Sequence, residues 1–182
     1  SNNCATVTQT IDMYVLPLIN PTVVPSTEWN AYCYASTTFT NYYGYYTESG
    51  GGTSGYDFNT TTRWAANALP STANASSGLA YQGCTMPSSN WSIIYKRTNF
   101  ACNMYSLNVL GNDDAVTIFI NGTQVATRAT STNSNALWYG VLTSTSTVEI
   151  RHTQTTGTSS LNIVFTLGAT TTAVWDGGTS TD

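Results

Sequence analysis

Two adjacent aspartates, Asp113 and Asp114, stand in the run GNDDAVTIFINGTQV (111–125), directly ahead of a strand-like segment and its Asn-Gly turn. Ionised at neutral pH, they offer carboxylate oxygens to a hard cation such as Ca2+, which takes about six to eight oxygen ligands. Neighbours on a regular strand point to opposite faces. The pair therefore converges on one ion only at a strand end or across an unusual peptide bond, such as a cis bond. Two carboxylates fall short of a full shell, and the stretch RHTQTTGTSS (151–160) is a suitable supplier of the rest. Gln154 brings a side-chain carbonyl, and the Thr-Gly-Thr turn at Thr156 to Thr158 can direct backbone carbonyls inward. The plainer alternative is that Asn112, Asp113 and Asp114 cap their own turn through Asx hydrogen bonds.

Little else in the chain is equipped for chemistry. His152 is the only histidine and falls in a strand-like segment, TVEIRHT (147–153), where a solvent-facing or hydrogen-bonded role is expected. A glycosidase needs two carboxyls about 5–9 Å apart across the scissile bond, and adjacent aspartates on one ion flank nothing. Glu28, Glu48 and Glu149 are isolated in the sequence. The expectation is a protein that is not an enzyme.

The elements that must position the aspartates are strands. Hydrophobic residues make up 41% and charged residues only 8% of the 182, so β-branched and turn-forming types outweigh helix formers. Strand-like runs are SIIYKR (92–97), MYSLNVL (104–110), AVTIFING (115–122), ALWYGVL (136–142), TVEIRHT and SLNIVFTL (160–167), each alternating or densely β-branched. Asn121-Gly122 is a type I′ hairpin signal. The aromatic runs WNAYCY (29–34) and NYYGYY (41–46) read as strand residues that fill a core or cover a sheet face, and ESGGGTSG (48–55) reads as a flexible loop. Residues 1–16 alternate like a strand and run into Pro17, Pro21 and Pro25, while residues 169–182 begin as a small-residue linker. Four Asn-x-Ser/Thr sequons, at Asn59, Asn74, Asn90 and Asn121, carry no weight in a chain this rich in Ser and Thr.

Composition also narrows the partners. Nine acids against five bases, with Lys96 the only lysine, leave no basic stripe for nucleic acid, and no apolar run reaches bilayer-spanning length. Cys4, Cys33, Cys84 and Cys102 show no metal-ligand spacing and read as disulfide formers, which implies an oxidising compartment. Three pairings are open. If sequence-nearest partners join, Cys4 with Cys33 and Cys84 with Cys102, each bridge stabilises by roughly 3 kcal/mol.

The segment from Tyr95 to Leu167 resembles the protective-antigen fourteen-kDa (PA14) lectin domain of yeast flocculins, epithelial adhesins and bacterial adhesins. The resemblance lies in the strand MYSLNVLGN, the Asp-Asp pair, the strand and hairpin AVTIFINGTQV, and the later hairpin TSTSTVEIRHTQTTGTSSLNIVFTL. It implies an all-β antiparallel sandwich in which Asp113 and Asp114, joined by a cis peptide, hold Ca2+ with Gln154 and backbone carbonyls near Thr156 and Thr158. Vicinal hydroxyls of a hexose-type glycan would complete the shell, with Asn112, the segment 135–139 including Trp138, and the 48–55 loop as candidate sugar contacts. This chain has Gln where the yeast pattern has Asn, and it lacks a Trp in that loop. Three divisions follow: 1–25, a strand and linker resembling the tail of an immunoglobulin-like repeat; 26–168, the lectin-like domain; and 169–182, a linker or the opening of another repeat. The implied setting is a monomeric module of a larger extracellular protein on a bacterial surface. The same fold would also suit a calcium-stabilised spacer or a protein-binding adhesion module.

Overall fold

Alternation of apolar and polar residues governs the architecture. The computed structural model describes residues 20–64 and 69–168; the strand expected over residues 1–16 and the linker expected over 169–182 lie outside them. Among the described residues, eleven strands are β1 (Trp29–Tyr34), β2 (Tyr42–Glu48), β3 (Phe58–Asn59), β4 (Gln82–Gly83), β5 (Trp91–Arg97), β6 (Asn103–Asp113), β7 (Val116–Ile120), β8 (Thr123–Arg128), β9 (Asn135–Leu142), β10 (Val148–Gln154) and β11 (Ser160–Leu167). One short helix, α1 (Pro70–Ser76), lies between β3 and β4. All pairings are antiparallel. The larger sheet runs β4-β2-β1-β5-β10-β7-β8 and the smaller β3-β11-β6-β9. The fold is the expected antiparallel β-sandwich.

The six strand-like runs all form strands, and the Asn121-Gly122 turn joins β7 to β8 with both residues at positive φ, 51° and 78°. Inward-facing residues of β6 and β11, such as Leu107, Val109, Leu161 and Ile163, meet Ile93, Ile118 and Ile150 of the larger sheet. Aromatics fill much of the core. Phe58 stacks on Tyr95 at 4.6 Å, and Tyr56 meets Phe100 at 4.7 Å. On the outer face of the larger sheet, Tyr32, Tyr34, Tyr45 and Ile94 form a second buried cluster. The described part of the proline-rich connector packs against this domain: Pro21 O accepts from Lys96 Nζ, Val23 O from the Tyr32 hydroxyl and Pro25 O from Thr98 N.

Three expectations need correction. The Cys84–Cys102 bridge is not formed: both cysteines are exposed and free, Cys84 just after β4 at one edge of the larger sheet and Cys102 just before β6 in the smaller. Cys33 is free as well, with its side chain in the core, and Cys4 lies outside the described residues. The 48–55 loop is tied down, since Gly51 and Asp57 exchange backbone hydrogen bonds of 2.8 and 3.0 Å. Helix α1 was not expected, because PSTANAS lacks a strong apolar period.

A candidate cation site and cleft at the end of strand β6

The aspartates close β6, where its pairing with β11 ends at Asp113 opposite Ser160. The Asp113–Asp114 peptide is cis. Each polar group of that bond is occupied: the Asp113 carbonyl accepts from Ser159 Oγ at 3.1 Å and lies 2.9 Å from His152 Nε2, and Asp114 N donates to Thr153 O at 3.2 Å. Asn112 Nδ2 donates to the carbonyls of Asp114 and of Ala129, the latter at 2.9 Å, which holds the next turn in place.

The carboxylates are oriented by the turn after β10. Thr158 Oγ1 donates to Asp113 Oδ2 at 2.7 Å. Thr155 donates to Asp114 Oδ2 through its N–H at 2.6 Å and through its hydroxyl. Partial burial pushes the Asp114 carboxyl up, but the Thr155 hydrogen bonds, with smaller contributions from Asp113 and Thr130, outweigh it and hold the group below the usual carboxylate range. Asp114 is therefore an acceptor at neutral pH.

Gln154 is 1% exposed at the end of β10, and its Nε2 donates to Thr158 O at 2.7 Å. Its Oε1 is buried with no hydrogen-bond partner, and so is Oδ1 of Asn112. Buried carbonyl oxygens are normally satisfied. Two orphaned amide oxygens beside two carboxylates form a donor set of hard oxygens that fits Ca2+. Among the described residues no group of three His, Cys, Asp or Glu side chains suits a metal, so neutral oxygens would have to make up the shell.

His152 is fully buried, parallel to Trp64 at 5.8 Å and edge-on to Trp91 at 5.7 Å. Desolvation lowers its pKa to about 4, against smaller opposing effects of the Asp113 backbone and Asp114. A neutral imidazole facing a carbonyl must carry its proton on Nε2, so His152 donates to Asp113 O. Its role is hydrogen-bonded, as expected, but it does not face solvent.

Beside Asp113 opens a cleft of about 420 Å3. One wall is the 129–134 loop, bearing Thr130, Ser131 and Thr132. That loop is fastened to β6 by reciprocal backbone bonds of 2.9 Å between Asn112 and Ser131. Arg128 also fastens it, donating to Ser131 Oγ at 2.6 Å and to the carbonyls of Val109 and Asn133. The facing wall is Thr61, placed by Thr60: Thr60 N donates to Leu161 O at 2.9 Å, and Leu161 N to Thr60 Oγ1 at 2.8 Å.

Asp113, Asp114, Gln154 and Thr158 are thus brought together, with Asn112 against them and Thr156 exposed in the same turn. Trp138 is not part of the site. It sits opposite Leu107, six residues before Asp113 on β6 and so roughly 20 Å away, and packs on the core. Tyr139 points outward at 63% exposure. The 48–55 loop does not line the cleft either, because its anchor Asp57 bonds Phe165 N, five residues beyond Ser160 on β11. Thr155, Thr130 and Thr61 escaped the sequence reading: single threonines in polar loops carry no periodic signal, although Thr155 directly follows Gln154.

No protein-family model matches the sequence, and no curated protein does. Solved structures do share the fold. An anti-sigma factor domain-containing protein superposes at TM-score 0.55 and 10% identity, covering 79% of this chain and 44% of that one. The PA14 domain of the antifreeze protein MpAFP gives 0.54 at 10% identity, covering 79% and 84%. The Epithelial Adhesin 9 A domain of Candida glabrata, solved in complex with Galβ1-3GlcNAc, gives 0.50 at 10% identity, covering 78% and 82%. This chain therefore spans less than half of the anti-sigma factor protein and most of the two PA14 domains. The fold is a PA14-type β-sandwich.

Proposed function

We propose that this domain is a calcium-dependent carbohydrate-binding module of an extracellular adhesin, and that it performs no catalysis. The observation that carries the reading is the pair of buried, unpartnered amide oxygens, Gln154 Oε1 and Asn112 Oδ1, beside the carboxylates of Asp113 and Asp114. In this reading Asp113, Asp114 and Gln154 hold the cation with help from the 155–158 turn, where the Thr156 and Thr158 carbonyls are the backbone candidates. The Thr158 carbonyl keeps a lone pair free after accepting from Gln154. When bound, Ca2+ supplies open coordination positions that two vicinal hydroxyls of a sugar fill. His152, Ser159 and Asn112 fix the backbone from which both carboxylates project, and Thr155 and Thr158 aim their oxygens. The sugar-bound A domain of the Candida glabrata adhesin supports a hexose-type glycan as partner and the cell exterior as setting. Weak single contacts would act through many displayed copies.

Calorimetric titration of the metal-stripped protein with Ca2+ tests the cation site. One site is expected in the unaltered protein and none in Asp114→Asn, with the fold unchanged by circular dichroism. Absence of Ca2+ binding in the unaltered protein would overturn the reading.

A further inference from the structure

The five basic residues of the chain are spent unequally. Arg63 pairs with buried Glu48 at 2.8 Å, Arg97 is buried beside Tyr56, and Arg128 fastens the 129–134 loop. Lys96 donates to Pro21 O at 2.8 Å and stands 3.4 Å from Glu149 Oε2. Arg151 uses only its Nε, which donates to Glu149 Oε1 at 2.5 Å. Among the described residues its two Nη groups meet no acceptor, and the side chain is 38% exposed.

The guanidinium is also held in place. Its Cζ lies 4.3 Å from the centroid of the Phe119 ring and 5.6 Å from that of Phe39, both within cation–π range. A planar fork fixed at Nε and against a ring, with both Nη groups open, is preorganised to receive a carboxylate in bidentate fashion. Glu149 does not fill that role, because one of its oxygens faces Arg151 Nε and the other faces Lys96.

Beside this fork, on the outer face of the larger sheet, lies a cleft of about 170 Å3 lined by Lys96, Glu149, Arg151, Phe119, Val24 and Thr147. Two cations against one carboxylate make it net positive in a chain of net charge −4. Small-molecule sites span ~300–1,000 Å3, so this one takes a side chain and not a whole ligand. Apart from the charged groups it offers the apolar Val24 and Phe119 and a single hydroxyl, Thr147; among the described residues no side-chain amide lines it. Such a lining suits methylenes and leaves the hydroxyls of a sugar ring short of partners.

We propose that this cleft binds a glutamate side chain of a partner protein, its carboxylate taken by the two Nη groups of Arg151 and its methylenes laid against Val24. The site lies apart from the paired aspartates and needs no calcium.

The test is an NMR titration of the metal-stripped full chain, in calcium-free buffer, with a capped glutamate hexapeptide, its glutamine counterpart and a hexamer of galacturonic acid. The glutamate peptide is expected to shift the Arg151 Nε–H signal and the backbone amides of β10 around it, and the glutamine peptide to leave them in place. Arg151→Gln should weaken the glutamate peptide about tenfold, the loss of a charge-assisted hydrogen-bonded pair. Arg151→Lys should recover only part of the binding, because an ammonium keeps the charge without the fork. Phe119→Leu keeps every charge but removes the ring that holds the guanidinium; it should weaken the peptide several-fold, and it covers the case in which Arg151→Gln fails to fold. No binding of the glutamate peptide, equal binding of both peptides, or a glutamate preference that survives Arg151→Gln and Phe119→Leu overturns the site. Tighter binding of the galacturonic acid hexamer than of the peptide overturns the protein partner in favour of an acidic glycan.

Discussion

His152 Nε2 lies 2.9 Å from the carbonyl oxygen of Asp113, so the one histidine of the chain is bonded to the peptide that joins the two aspartates. Its ring is held between Trp64 and Trp91 and remains uncharged until about pH 4, because burial disfavours the cation. The unfolded chain takes up this proton near pH 6.5. Between those values the unfolded state binds a proton that the native state refuses, so stability is full above about pH 6.5 and falls as pH drops toward 4. At about 1.4 kcal/mol per pH unit the loss across the window is roughly 3 kcal/mol. Denaturant unfolding at pH 7.5, 5.5 and 4.5 should show this slope in the unaltered protein and a flatter one in His152→Gln. Equal slopes would contradict the buried neutral ring.

Trp138 closes the sandwich at β9, and Gly140 makes room for it. A Cβ on Gly140 would stand 2.5 Å from Trp138 Cζ2. Gly140→Ala should cost about 1–3 kcal/mol by overpacking. In a Trp138→Ala background the same substitution should cost close to nothing, a coupling readable by a double-mutant cycle. Additive effects would show that the ring does not lie over residue 140.

The three described cysteines differ in exposure. Cys84 and Cys102 are exposed, whereas Cys33 is fully buried and burial pushes its thiol up. A maleimide reagent should label Cys84 and Cys102 in the folded protein and Cys33 only after unfolding, as mapped by peptide mass spectrometry. Protection of Cys84 and Cys102 together until a reductant is added would restore the bridge that the sequence suggested.

Much of the sandwich was legible because its strands alternate. TVEIRHT and SLNIVFTL bury every second residue, SIIYKR is β-branched and aromatic enough to be buried at all but Lys96, and Asn121-Gly122 has few conformations open to it other than a tight hairpin. The aspartate end was legible in part. Asp113, Asp114 and Gln154 stood out by residue type, yet the groups that aim and hold them, Thr155, Thr158, Ser159 and His152, reach them only when β6, β10 and β11 end together. The cleft walls were the least legible. Thr61 and the 129–134 loop arrive from distant points in the chain, and Trp138 looked available for a sugar because its sequence does not reveal that Gly140 lets the ring fold inward.

The whole account turns on whether sugar binding depends on calcium at Asp113 and Asp114. A glycan array probed with the full chain in calcium buffer and again in a calcium chelator measures this directly. Binding to hexose-containing glycans is predicted to disappear in the chelator and to return when calcium is restored. Binding that persists unchanged in the chelator, or an array without bound glycans in calcium, would contradict it.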